Sequence, residues 1–255
     1  MNTITNLFSL TNKTALVTGA NTGLGQGICI ALAASGAKVL GVARRSCQET
    51  ALKIEEFGGS FEEILVDLSE PSAIDTILQE AKKHTDRIDI LVNNAGIIKR
   101  CDAIDVTYED WDAVHELNER FVFFLSQAVA KQWIADGCGG KIINIASMLS
   151  YQGGIRVPAY TASKSAVMGI TKALANEWAK YNINVNAIAP GYMATNNTAN
   201  LRSDADRSEA ILDRIPAGRW GTPEDMYGAA IFLASDASSY VNGFTLAVDG
   251  GWLAR

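Results

Sequence analysis

A chain of 255 residues, 48% of them hydrophobic, has the length and apolar content for the core of one large α/β domain. Its formal net charge of −6, with both signs scattered along it, disfavours nucleic acid or an anionic membrane as the main partner. No apolar run reaches the roughly 20 residues of a membrane span, and Met1–Leu10 lacks the basic-then-apolar order of a secretory leader.

The first β-rich run, Lys13–Gly19 (KTALVTG), ends in glycine. Gly19-Ala-Asn-Thr-Gly23-Leu-Gly25 follows, and helical spacing takes over through Ile28, Leu32 and Ala33. Strand, glycine loop and helix in that order hold a phosphate: glycines allow the tight turn, and free amides at the helix start face the anion. An ordinary glycine-rich turn is the alternative; the position between strand and helix favours the phosphate. The next strand, Lys38–Ala43, runs into Arg44-Arg45, with no carboxylate before Glu49. An acid about 20 residues beyond the glycines would hold the 2′-hydroxyl of NAD, whereas an arginine attracts the 2′-phosphate of NADP. These residues lean toward NADP, against the alternative of two solvated arginines.

Gln48–Phe57 is amphipathic, and Phe61–Val66 reads as a strand ending at Asp67-Leu68. Asp67 stands either against an adenine edge or as the cap of the helix after Pro71. Ile88–Val92 leads into Asn93-Asn94-Ala95-Gly96, where amide side chains can fix backbone and two small residues leave room for a flat ligand. From Thr107 to Ala135 one helical stripe runs through Trp111, Val114, Leu117, Phe121, Phe124, Leu125 and Val129, a core or subunit face. Asn118 interrupts it, and a buried Asn needs partners, so it is solvated or supports a site.

Lys141–Lys164 (KIINIASMLSYQGGIRVPAYTASK) is the stretch around which the chemistry gathers. A buried strand ends near Ser147, a turn follows at Gly153-Gly154, and a helix opens near Pro158. Tyr160 and Lys164, four residues apart, share a face of that helix. An ammonium beside a phenol is expected to favour phenolate, and Ser147 can hydrogen-bond the oxygen that Tyr160 protonates. Arg156 lies between them.

Asn184–Ala189 is the next strand, ending at Pro190-Gly191. From Tyr192 to Trp220 the pattern turns polar and loses periodicity, so about 191–220 is expected to be a lid or substrate loop. Thr222–Ala234 reads as a helix and Phe244–Val248 as a last strand. Seven strands alternating with helices, without repeat or boundary, predict a single domain over 1–255. Its fold class is α/β: a Rossmann-type, doubly wound, seven-stranded parallel sheet with helices on both faces. Ligands on such sheets bind beyond the carboxyl ends of the strands, where Gly19, Asp67, Asn93, Ser147 and Pro190 all fall. Cys29, Cys47, Cys101 and Cys138 form no CxxC pair, and His84 and His115 are the only imidazoles. Free thiols in a reducing cytoplasm, and no metal, are expected.

With these residues placed, the chain resembles the classical short-chain dehydrogenase/reductase family over essentially its whole length. The family's TGxxxGxG appears from Thr18-Gly19 to Gly25, its NNAG at Asn93–Gly96, its YxxxK at Tyr160 and Lys164, and its PG step at Pro190-Gly191. The resemblance implies Ser147, Tyr160, Lys164 and Asn118 as catalytic residues, the last holding a water that relays protons from Lys164. It implies contacts to the dinucleotide from Gly19, Asn21, Thr22, Gly23, Leu24, Gly25, Arg44, Asp67 and Leu68. Others come from Asn94, Ala95, Gly96, Tyr160, Lys164, Pro190, Gly191, Met193 and Thr195. The segment Tyr192–Arg219 and the ending AVDGGWLAR resemble a narrower group, the 2-deoxy-D-gluconate 3-dehydrogenases, also described as 2-dehydro-3-deoxy-D-gluconate 5-dehydrogenases. That group implies a homotetramer and NAD, where Arg44 argues for NADP; NAD or NADP is expected, with NAD slightly ahead on the resemblance. A sugar-acid substrate carries a carboxylate, for which Arg100, Arg156 and Arg202 are candidates, with Met148, Gln152 and Tyr192 lining the pocket. The rival readings are a 3-oxoacyl-[acyl carrier protein] reductase, which would need a basic patch for its carrier, and a non-catalytic dinucleotide-binding regulator.

Overall fold

The computed structural model describes residues 3–255; Met1 and Asn2, where the stretch read against a leader begins, lie outside the described residues. After a single helical turn, α1 (Thr3–Asn6), the chain alternates strands and helices. The strands are β1 (Thr14–Thr18), β2 (Lys38–Ala43), β3 (Ser60–Leu65), β4 (Ile90–Asn93), β5 (Gly140–Ile145), β6 (Ile183–Pro190) and β7 (Thr245–Val248). They form one sheet in the order β3-β2-β1-β4-β5-β6-β7, every pairing parallel. Central strands read as unbroken apolar runs because helices cover both faces: β1 is buried at all five positions. At one edge β3 keeps Glu62, Glu63 and a half-exposed Leu65, the charged character that discourages further strand pairing.

One face is covered by α2 (Gly23–Ala34), α3 (Gln48–Glu55) and α10 (Tyr227–Ala234), whose Ile28, Leu32, Ile54 and Leu233 pack on Val17, Val39 and Val92. On the other, α4 (Ala73–Ala81), α6 (Phe121–Ala135) and α7 (Pro158–Trp178) bring Ile77, Leu125, Val129 and Leu174 onto Leu16, Leu40 and Ile142. Burial of such side chains contributes about 1.5–3 kcal/mol each. The strand order reverses between β1 and β4, and the crevice beyond their carboxyl ends is where this architecture opens.

Three sequence expectations change. The helix read continuously over Thr107–Ala135 is α5 (Tyr108–His115), a π-helical turn at Glu116–Arg120, and then α6. The π turn widens the ladder from i−4 to i−5 and carries Asn118 wholly inside, where an α-helical reading leaves it ambiguous. The segment expected to be a loop after Gly191 contains α8 (Ala199–Ser203) and α9 (Ala205–Leu212). Its apolar side chains are few: Ile211 and Ile215 are buried with Met148 and Trp252, and Leu201 packs against them, so distant residues supply the missing partners. Asp67 does not cap α4; its carboxylate accepts from the Ser69 amide at 3.0 Å and hydroxyl at 2.7 Å, and Ser72 stands at the cap. No helix among the described residues is long and apolar enough to cross a membrane.

Candidate active site

Beyond the carboxyl ends of the strands lies a cleft of about 780 Å³. Its floor begins at β1. Gly19 has a φ of +71°, and a β-carbon there would stand 2.8 Å from Asn94 Nδ2; one at Gly25 would stand 2.0 Å from the Gly19 carbonyl oxygen. The loop is therefore closed on itself at Gly19 and Gly25, where no side chain fits. Thr22 begins α2 without capping its amides with its own hydroxyl, leaving that helix end to an anion. The two strands flanking the crevice are tied together: Thr18 Oγ1 accepts from the amides of Asn94 and Ala95, both at 3.1 Å, while Asn94 Nδ2 donates to the Thr18 carbonyl at 2.9 Å.

Behind the cleft runs a polar ladder whose Ser126, Asn144 and Thr171 the motif reading missed. Asn93 Nδ2 donates to Ser126 Oγ at 2.9 Å and Asn144 Oδ1 at 2.8 Å, and Asn144 Nδ2 donates to Thr171 Oγ1 at 3.0 Å. It joins β4 and β5 to α6 and α7 inside an otherwise apolar core. A buried Asn within the apolar run Ile142–Ile145 was the available signal.

At one end of the cleft Arg44, Arg45, Asp67 and Leu68 line the wall. Arg44 Nη1 is 3.5 Å from Asp67 Oδ2. The Ser69 amide and hydroxyl, and then Arg44, hold the Asp67 carboxyl below its ordinary range. Arg45 has no ion-pair partner among the described residues.

Midway stand Ser147, Tyr160 and Lys164. Ser147 leaves β5 as the cap of a tight turn, its hydroxyl accepting from the Leu149 amide at 3.1 Å. Lys164 is buried, donates to the Ile145 carbonyl at 2.6 Å, and has its Nζ 5.8 Å from the Tyr160 ring centroid. Burial pulls Lys164 down to about 8. Tyr160 departs from expectation. Burial raises its phenol above the ordinary value, and the groups drawing it back are the neighbouring Ser147 hydroxyl and the charge of Arg100. The ammonium of Lys164, committed to a carbonyl, does not overcome the desolvation.

Asn118 lies behind this group. Its Oδ1 accepts from the Ile97 amide at 2.8 Å, and its Nδ2 donates to the Ile97 carbonyl at 2.9 Å and Ser163 Oγ at 3.2 Å. A β-carbon on Gly96 would sit 3.0 Å from Asn118 Oδ1 and 3.7 Å from Lys164 Nζ, so three motif positions distant in sequence meet here.

At the far end are Arg100, Met148, Gln152, Arg156 and Tyr192, as expected. Arg156 is already paired with Asp102, 3.0 Å away. Arg202 does not line the cleft; it turns back to donate to the Thr195 carbonyl at 3.2 Å. Pro190 and Met193 also fall outside the lining, Pro190 as the last residue of β6 and Met193 as part of the core, whereas Gly191 and Thr195 line it. Unforeseen are Arg207, Arg214 and Trp252. The two arginines are seven residues apart, two helical turns, which was the one signal available in a segment lacking apolar periodicity. Tyr192 is held edge-on by Trp220, 5.5 Å away, and Trp252, 4.8 Å away. Burial raises its phenol while Arg207, Arg214 and Arg100 pull it back.

The family described as enoyl-(acyl carrier protein) reductase matches residues 19–253. The chain belongs to the short-chain dehydrogenase/reductase family. Within that family it is 61% identical over 252 residues to a 2-dehydro-3-deoxy-D-gluconate 5-dehydrogenase of Dickeya dadantii strain 3937, covering 99% of this chain and 100% of the relative. A protein of the same name from Escherichia coli K12 is 59% identical, with the same coverage. Among solved structures, a candidate 2-deoxy-D-gluconate 3-dehydrogenase from Agrobacterium tumefaciens with bound NADP is 57% identical and superposes with a TM-score of 0.92, covering 98% and 100% of the two chains. The chain is accordingly an oxidoreductase of this family, with the family's parallel sheet.

Proposed function

We propose that this enzyme transfers hydride between a nicotinamide dinucleotide and a secondary alcohol or ketone of a sugar acid of the 2-dehydro-3-deoxy-D-gluconate or 2-deoxy-D-gluconate type. The observation that carries the reading is the meeting of Ser147, Tyr160 and Lys164 in one cleft between a tightly closed glycine loop and an arginine-lined end. The names of relatives at 61% and 59% identity supply the substrate class. The dinucleotide fits the residues present: the loop has space only for backbone at Gly19 and Gly25, the helix-start amides of α2 suit a pyrophosphate, and Asn94, Ala95 and Gly96 leave a flat wall. Arg44 and Arg45, with no carboxylate between them and the glycine loop, favour a 2′-phosphate, so we take NADP ahead of NAD. Gly191 and Thr195 would close on the nicotinamide half, while Asp67 and Leu68 flank the adenine.

When bound, the dinucleotide supplies the acceptor or donor of hydride. In reduction the Tyr160 phenol, the form that burial favours, gives its proton to the substrate oxygen, and in oxidation its phenolate takes the proton back from the substrate hydroxyl. Ser147 donates a hydrogen bond to the same oxygen and stabilises charge developing there. Lys164, cationic below about pH 8, keeps positive charge beside the phenolate. Both N–H groups of the Asn118 amide are committed, to Ile97 and Ser163, and its oxygen accepts from Ile97, so its side chain positions the loop after β4.

A 3-oxoacyl reductase would present basic charge to a carrier, whereas here Arg100, Arg207 and Arg214, which form no ion pair among the described residues, line the cleft. A regulator would have no use for a Ser–Tyr–Lys group. We retain one catalytic domain, a cytoplasmic location in keeping with four free cysteines, and a homotetramer, supported by exposed Tyr108 and Phe124 on α5 and α6. The test is reduced-nicotinamide absorbance with 2-dehydro-3-deoxy-D-gluconate and NADP or NAD, on wild type and Tyr160→Phe. Wild type is expected to turn over, and the variant to lose about 10²–10⁴-fold in kcat while still binding NADPH. An active Tyr160→Phe enzyme would refute the mechanism, and wild type inert toward sugar acids would refute the substrate.

A further inference from the structure

Three guanidiniums at the far end of the cleft have no carboxylate of their own. Arg100 follows β4, Arg207 belongs to α9, and Arg214 stands just past its end; none forms an ion pair among the described residues, unlike Arg44, Arg156 and Arg219. The carboxylates that line the cleft are elsewhere engaged: Asp67 with Ser69 and Arg44, and Glu116 with Arg120 at 2.8 Å. Like charges gathered on a cleft wall repel one another, and the arrangement is relieved by an anion.

Their surroundings hold the guanidiniums rather than neutralise them. Arg214 stacks over the Trp252 ring at 4.1 Å and donates to Gln152 Oε1 at 3.3 Å, the same oxygen that accepts from Trp252 Nε1 at 3.1 Å. Arg100 gives one N–H to the Asn197 carbonyl at 3.0 Å. Each guanidinium has five N–H donors, so most remain unspent. The Tyr192 phenol, within the field of all three, has no hydrogen-bond partner among the described residues.

We propose that Arg100, Arg207 and Arg214, with the Tyr192 hydroxyl, form the receptor for the substrate's carboxylate, and that this anion ties the cleft floor to α9. The inference rests on the sugar-acid reading above. A carboxylate offers two oxygens with about four lone pairs, matching fork donors arriving from two sides. Gln152 and Trp252 are positioning residues: they fix the plane of Arg214 without themselves carrying charge. Such a site discriminates by charge, because a neutral analogue leaves the cations unpaired.

The experiment is steady-state kinetics at saturating NADP with 2-deoxy-D-gluconate and with its uncharged primary amide, on wild type, Arg207→Met, Arg214→Met and Arg214→Lys. NADPH affinity is measured in parallel by fluorescence. Wild type should prefer the acid by about 10–100-fold in kcat/KM, the span expected of charged hydrogen bonds. Each Met variant should raise KM for the acid, leave the amide nearly unchanged, shrink the preference and keep NADPH affinity; Arg214→Lys should recover part of it. Equal losses on acid and amide would mean a merely structural role, and weakened NADPH binding would assign the arginines to dinucleotide phosphate; either overturns the proposal. If wild type turns over the acid while the variants keep the full preference, the receptor falls and the sugar-acid reading stands. A wild type inert on sugar acids removes both.

Discussion

Replacing Lys164 by methionine is expected to abolish turnover and, at neutral pH, to make the protein more stable. Lys164 is 4% exposed and meets a carbonyl rather than a carboxylate. Its fall from 10.5 to about 8, at about 1.4 kcal/mol per pH unit, corresponds to about 3 kcal/mol of lost hydration borne by the folded state at pH 7. Methionine has similar length and no charge, but leaves the Ile145 carbonyl without its donor, a loss of about 1–2 kcal/mol. The net gain is about 1–2 kcal/mol, at about 2–4 °C in Tm per kcal/mol for a chain of this size. The pH dependence has a definite sign. Between about pH 8 and 10.5 the unfolded wild type holds the lysine proton and the folded form does not, so wild-type stability rises with pH. The advantage of Lys164→Met should therefore be full below pH 8, cross zero at roughly pH 9, and become a deficit of about 1–2 kcal/mol, the lost hydrogen bond, by about 10.5. Urea unfolding of both proteins at pH 7, 8.5 and 10 reads it directly. A variant less stable than wild type at pH 7, or a difference that does not shrink on raising the pH, would refute the reasoning.

Removing Arg44 and Arg45 together (both to Ala) should raise KM for NADP by about 10–100-fold, the span of charge-assisted hydrogen bonds, and change KM for NAD far less. An equal loss for both dinucleotides in initial-rate assays would sink the 2′-phosphate assignment. Asn118→Leu should destabilise by about 2–4 kcal/mol, since it orphans the Ile97 amide and carbonyl together; an unfolding curve unchanged from wild type would show those groups re-paired.

Much of this protein was settled by local pattern. Apolar β-branched runs such as Leu16–Val17 and Ile142–Ile145 admit strands buried on both faces, and their alternation with helices leaves a parallel sheet as the solution. The glycine loop and the Tyr160–Lys164 pair were legible for the same reason: their geometry is fixed by backbone conformation and helical spacing over a few residues. The tertiary structure decided what depends on distant partners. Nothing near Asn118 announces that the helix passes through a π turn; its three hydrogen bonds go to Ile97 and Ser163, far along the chain. The helices after Gly191 have few apolar residues and become ordered on Met148 and Trp252, which lie 54 residues before and 50 after Arg202 along the chain. Likewise the depressed Lys164 and the raised Tyr160 follow from burial, a property of the packed fold that spacing along the sequence does not contain.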